Sequence, residues 1–206
     1  ESFRKQMVEA GEEVLRKMEE TGKYAVVLAA RPYQTDSLVN HDLPSLFTSL
    51  GISVLTADSL PEAGKTDLSK STLDIVNNYH ARMLSSAILA ARDPRLEYVQ
   101  LVSFGCGHDA YLSDEIIRVM KEISGKTPLV LKVDESDVQG PLRIRVRSFV
   151  ETLNMKRELK KKQGETLQIK ELGEPYPVKF TDRDRKEKVV LVPNTSHAFS
   201  RVMSAA

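Results

Sequence analysis

The chain has 206 residues, 41% of them apolar, and its 30 Lys and Arg against 29 Asp and Glu leave a net charge of +1. That length suits one α/β domain, alone or with an appendage, and the even charge balance excludes a dedicated nucleic-acid binder, which carries a clustered basic excess. No apolar run approaches the length of about 18 residues that a membrane-spanning helix needs, and the opening Glu1-Ser2-Phe3-Arg4-Lys5 is not a signal sequence. The single cysteine, Cys106, rules out an internal disulfide framework and makes a reducing cytoplasm the expected compartment. The sequence opens without Met and stops inside an apparent helix, Arg201-Val202-Met203-Ser204-Ala205-Ala206, so it reads as a piece of a longer polypeptide.

In chain order, Phe3, Met7, Ala10, Val14 and Met18 recur at helical spacing, with Gly22 as a stop. The apolar run Tyr24 to Ala30 predicts a strand buried on both faces, as in a parallel sheet. The loop Arg31-Pro32-Tyr33-Gln34-Thr35-Asp36 follows. A helix then carries Leu43, Leu46, Phe47 and Leu50 on one face, with Asp42 as its cap, Pro44 in the first turn and Gly51 at the end. Ile52 to Leu55 predicts a second strand, and residues 57 to 74 read as a polar surface excursion. Tyr79, Met83, Leu84, Ala87 and Ile88 mark another helix, broken by Arg92-Asp93-Pro94. A third strand, Tyr98 to Val102, runs into Ser103-Phe104-Gly105-Cys106-Gly107-His108-Asp109-Ala110. Ser113 looks like the cap of the next helix, whose core face is Ile116, Ile117, Met120 and Ile123, with Gly125 at its end. Pro128 to Val133 predicts a fourth strand, and Pro141 opens a long helix with Leu142, Val146, Phe149, Val150 and Leu153 on its apolar face. After about residue 154 the chain turns polar and irregular, until Val189 to Pro193 suggests a new strand and Ala198 to Arg201 a new helix.

Strands alternating with helices predict a three-layer α/β fold, a parallel Rossmann-like or flavodoxin-like sheet in the order 2-1-3-4 with helices on both faces and a C-terminal extension. In such sheets ligands bind beyond the carboxyl ends of the strands, where the strand order reverses. The reversal falls between the first and third strands, so the loops Arg31 to Asn40 and Ser103 to Leu112 meet there. They are also the most chemically loaded loops in the chain. Arg31 and the two helix starts that follow are suited to an anion, such as the phosphates of a CoA ester. Gly105 and Gly107 let backbone approach a ligand, or simply make a tight turn. Tyr33 shields a ligand or packs over its own loop. His41 and His108 read first as satisfied loop residues and second as ligands. Asp134 and Glu135 point to the same edge, with Arg143 and Arg147 on one helix face and Arg145 on another. Three readings stay open for Cys106: an inert small hydrophobe, a nucleophile whose base is His41 or His80, and a thiolate ligand to an iron–sulfur cluster completed from outside the chain.

These segments also resemble a known family. Arg31-Pro32-Tyr33 with Asn40-His41 and Pro44, then Ser103 to Ala110, then Val133-Asp134-Glu135 with Gly140 and Ile144-Arg145-Val146-Arg147, resemble three motifs of the large proteins related to the 2-hydroxyacyl-CoA dehydratase activases. Their order and spacing match from residue 1 to about 153. Ala30, Gln34 and Asp42 depart from the pattern, standing where the family often has glycine, histidine and glycine. The resemblance implies a dehydratase-component-like domain over residues 1–153, with 154–206 a linker and the start of a following α/β unit. It implies that Cys106 is a ligand to a 4Fe-4S cluster shared with other α/β domains of the same polypeptide. Arg31, Pro32, Tyr33, His41, Ser103, Gly105, Gly107, His108 and Asp109 would surround that cofactor. An ATPase activase component would drive electron transfer for dehydration of an acyl-CoA; no phosphate-binding glycine motif of such an ATPase stands in this chain. The contrasting expectations are a cysteine-dependent thioester transferase or hydrolase, and a docking module for an ATPase partner.

Overall fold

A computed structural model describes residues 2–75, 77–103, 106–133, 139–176, 178–189 and 201. The chain divides into two compact units, residues 1–175 and 176–206. In the first, four strands form one parallel sheet in the order β2-β1-β3-β4, with β1 at Ala25–Ala29, β2 at Ser53–Thr56, β3 at Leu96–Ser103 and β4 at Leu129–Val133. Every residue of β1 is buried, which is what a central strand covered on both faces requires. Ala25 pairs with Ser53 on one side and Leu96 on the other, and Ala29 pairs with Gln100.

The helices are α1 (Ser2–Thr21), α2 (Leu43–Ser49), α3 (Asn78–Arg92), α4 (Gly107–Ser124) and α5 (Gln139–Gln163). Alternation along β1 and β3 divides the apolar residues between two cores. Ala25, Val27, Ala29, Leu96 and Tyr98 pack with residues of α1, α3 and α4. Val26, Leu28, Val99 and Leu101 pack with Leu43 and Phe47 of α2 and Val146 and Val150 of α5. The result is the expected three-layer α/β sandwich. Among the described residues, no helix is long and apolar enough to cross a membrane. The second unit has one described helix, α6 (Asp182–Glu187), capped by Thr181, whose hydroxyl accepts from the Asp184 N–H. Of the expected strand Val189 to Pro193 and helix Ala198 to Arg201, only Val189 and Arg201 are described; the rest lies outside the described residues.

Local details correct the sequence reading in four places. The buried face of α1 runs through Gly11 and Met18, and Phe3 is exposed. Gly11 faces the core because a Cβ there would lie 1.9 Å from the Ser59 carbonyl oxygen, so only glycine lets the 57–74 segment reach the helix. That segment is therefore not a loose surface excursion: Ser59, Leu60 and Ala63 are buried. Helix α4 begins at Gly107 with Cys106 as its N-cap, well ahead of the expected cap Ser113, whose hydroxyl instead donates to the Asp109 carbonyl one turn back. Ile117 lies at the surface rather than in the core.

Candidate functional site at the carboxyl edge

The site forms where β1 and β3 end side by side, at the reversal in strand order. Past β1, Arg31 takes extended backbone and leads into a 3-10 turn over Pro32–Thr35. Past β3, Cys106 caps α4 with extended backbone and no side-chain hydrogen bond to the helix. Its thiol is therefore turned away from capping, and it is half-buried. The Arg31 guanidinium donates through Nη2 to Cys106 Sγ at 2.7 Å. It also donates through Nε (3.1 Å) and Nη2 (2.7 Å) to Asp109 Oδ1.

Asp109 holds this arrangement together. It sits in the first turn of α4, where a carboxylate meets the positive end of the helix dipole. One oxygen takes Arg31; the other accepts from the backbone N–H of Ser103 at 2.8 Å. Its side chain is 3% exposed and that of Arg31 19%. Burial works against the Arg31 charge, but the hydrogen bonds and charge of Asp109, with a smaller part from Cys106, more than offset it and leave the guanidinium more firmly protonated than usual. An ion pair so enclosed and hydrogen-bonded fixes the direction of Arg31.

A second layer ties the two loops together. Tyr33 Oη and Ser103 Oγ lie 2.5 Å apart. Gln34, 1% exposed, accepts from the Arg31 N–H through Oε1 and donates toward Ser103 Oγ through Nε2. Asn40, also 1% exposed, donates to the carbonyls of Gln34 and Thr35. His41 and Asp42 then take left-handed backbone, at φ 53 and 55, to turn the chain into α2. That conformation costs a non-glycine residue about 1 kcal/mol or more. Asp42 precedes α2 as expected but makes no side-chain cap; it accepts from Ser45 Oγ instead.

The structure brings Arg31, Tyr33, Ser103, Cys106 and Asp109 into one connected cluster. Pro32 starts the turn beside it. Gly107 and His108 form the exposed first turn of α4, and beyond its chain neighbours and its own helix backbone no described atom lies within 4 Å of where a Gly107 Cβ would stand. His41 sits in the turn before α2. Gly105, Asp134 and Glu135 lie outside the described residues. Arg145 donates to the Val130 carbonyl of β4 at 2.8 Å.

His80, at the start of α3, is buried at 8% exposure, with its ring 4.3 Å from Tyr79 and 5.9 Å from His108. Its Nδ1 faces Asn77 Nδ2 at 3.3 Å. Its Nε2 has no partner among the described residues. Burial first, then the Arg31 cation, lowers its proton affinity. The group bonded to Cys106 is thus an arginine, which cannot take a proton, and not an imidazole base.

Sequence reasoning flagged Arg31, Cys106 and Asp109 separately and missed their pairing, because 78 residues separate Arg31 from Asp109. It also missed Gln34 as the residue that binds both loops. The available signal was a run of polar residues straight after a strand buried on both faces.

Among the described residues, no group of three or more His, Cys, Asp or Glu is placed to hold a metal ion. The one thiol can supply one corner of a shared cluster, and this chain holds no second cysteine. A family model described as a CoA enzyme activase uncharacterised domain matches residues 1–60, which carry α1, β1, the Arg31 loop, α2 and β2. No curated protein and no solved structure matches the chain. Over residues 1–60, the chain is therefore similar to an activase-related family.

Proposed function

We propose that this chain is a domain of an activase-related protein in which Cys106 supplies one thiolate to a 4Fe-4S cluster, completed by cysteines of other α/β domains. The cluster would carry single electrons, delivered by an ATPase component, toward dehydration of a 2-hydroxyacyl-CoA in a reducing cytoplasm. The observation that carries this reading is the short contact from Arg31 to Cys106 Sγ, with Arg31 itself pinned by Asp109.

The chain's own residues suit a single ligand corner. Cys106 caps the start of α4 and its N–H donates to the carbonyl of Ser103, the last residue of β3, at 3.4 Å, so both elements hold it. Arg31 gives it an N–H donor, and hydrogen bonds to ligating sulfurs are one of the levers that set a cluster's reduction potential. Asp109 stops Arg31 from swinging away. The exposed first turn of α4 leaves the thiol's neighbourhood open to another domain. A thioester transferase or hydrolase would need a base on the thiol, and Arg31 occupies that position.

The test is a longer polypeptide that includes the neighbouring domains, made anaerobically, with iron and sulfide assayed beside the 206-residue chain. The expected result is little or no iron on the chain alone, a cluster on the longer protein, and a clear loss of cluster on Cys106→Ala. A cluster that survives that substitution unchanged in content and spectrum overturns the assignment.

A further inference from the structure

Helix α5 outruns the sheet it packs on. Its apolar contacts with the core end at Leu153. Arg157 is the last side chain tied to that body: it donates to Glu97 at 2.7 Å, and its guanidinium carbon lies 4.3 Å from the centre of the Tyr24 ring. Residues 158–163 are exposed on every side. A bare helical end of this kind is marginal in water unless charge pairs one turn apart support it. Other helices of the chain have such pairs: Lys5 with Glu9 and Arg16 with Glu20 on α1, Arg118 with Glu122 on α4, and Arg183 with Glu187 on α6.

The end of α5 is charged the opposite way. Lys156, Lys160, Lys161 and Lys162 make no ion pair among the described residues. Lys156 stands one turn from Lys160, and Arg157 one turn from Lys161, where like charges repel. The helix dipole welcomes cations in its last turn, which accounts for Lys160 to Lys162 but not for Lys156. Met155 and Leu159 lie among these lysines, four residues apart and each more than half exposed. Each is followed by a lysine, so the apolar pair and the pair Lys156 and Lys160 form two parallel rows along the helix.

We propose that this end of α5 docks an acidic amphipathic helix of a partner protein, whose apolar side chains meet Met155 and Leu159 and whose carboxylates meet Lys156 and Lys160. Charge selects that occupant. Over residues 154–163 the carboxylate of Glu158 alone faces four lysines and Arg157, so a second copy of this chain would bring like charge to like. A membrane-surface helix needs a broad apolar face with aromatic anchors, and this end has neither. The docking site is separate from the Cys106 reading and does not depend on it.

The probe is a labelled synthetic helical peptide with leucines at i and i+4 flanked by glutamates, titrated with the full 206-residue chain and followed by fluorescence anisotropy. Saturable binding that weakens as salt rises is expected. Lys156→Glu with Lys160→Glu, and separately Met155→Ser with Leu159→Ser, each weaken it about tenfold or more. All four side chains are exposed, so both variants keep the fold, which circular dichroism checks. A peptide with serine for each leucine binds about tenfold more weakly, and one with lysine for each glutamate does not bind. Equal binding of the serine peptide would mean diffuse charge attraction and overturns the proposal. So does tighter binding to phosphatidylserine vesicles, no saturable binding of the acidic peptide, or binding unchanged in either double variant.

Discussion

Replacing Glu115 with Gln separates charge from shape at the contact that holds the 57–74 segment to α4. The Glu115 side chain is 2% exposed. It accepts from the Thr72 N–H at 2.8 Å and the Thr72 hydroxyl at 2.5 Å, and from Arg118 through Nε at 2.9 Å and Nη2 at 2.8 Å. Arg118 Nη2 reaches on to the Lys70 carbonyl at 3.0 Å. Burial alone would raise the carboxyl's pKa; the bonds from Arg118 and Thr72 outweigh it and hold the group down at about 2, against an ordinary 4.5. The folded value is depressed, so the stabilisation is fully present above pH 4.5 and is lost as pH falls toward 2. At about 1.4 kcal/mol for each tenfold change in proton affinity, the full contribution is about 3 kcal/mol, and about 1.4 kcal/mol of it remains at pH 3.

Glu115→Gln keeps the volume but turns one acceptor into a donor facing Thr72 or Arg118. Urea unfolding of both proteins, followed by circular dichroism from pH 7 to pH 3, gives the difference in stability at each pH. A gap of about 3 kcal/mol at neutral pH is expected, shrinking by about half at pH 3. Faster backbone hydrogen exchange within residues 60–73 of the variant locates the loss. A gap that stays constant over the whole pH range refutes the reasoning, because then the carboxylate's charge contributes nothing and only packing was lost.

Two further substitutions weigh opposing effects. Gly11→Ala gains about 1 kcal/mol of helix propensity, yet places a Cβ 1.9 Å from the Ser59 carbonyl oxygen; the crowding, about 1–3 kcal/mol, is expected to win, and a higher melting temperature would contradict the close approach of α1 to Ser59. Gln100 is fully buried in β3 and neither side-chain amide atom has a partner among the described residues. Gln100→Leu should therefore stabilise the chain by about 1–2 kcal/mol in urea unfolding, and a loss of stability instead would mean that the amide serves a bound molecule.

The sheet was legible because its signal is local. Seven apolar residues from Tyr24 to Ala30, ended by the Arg31-Pro32 turn, read as a strand covered on both faces, and short apolar runs separated by helix-length segments then point to a parallel order. The sequence also pointed to the two loops of the site, because each follows such a strand. The start of α4 was not legible: Gly105, Gly107 and the polar residues between them and Ala110 carry low helix propensity, while Asp109 at the helix N-terminus, bonded to Ser103, stabilises the first turn through the tertiary structure. The 57–74 segment misled for a related reason. Its polar composition reads as solvent-facing, but Ser59 accepts α1 because Gly11 lacks a side chain, and Thr72 is held by a buried carboxylate. Hydrogen bonds that let polar residues go inside leave no mark on hydropathy.

Gln34 and Asp109 show why the site has a definite shape despite lying on loops. Loop atoms are positioned only as well as their anchors, and each of these two residues makes bonds that cross from one loop or strand end to the other. Asp109 joins Arg31 to the end of β3, and Gln34 joins the Arg31 backbone to Ser103. Arg31 is thus held at both its backbone and its side chain. The guanidinium meets Cys106 by construction rather than by a chance surface contact, and movement of the Pro32–Thr35 turn must carry through Gln34 to the residue that touches the sulfur.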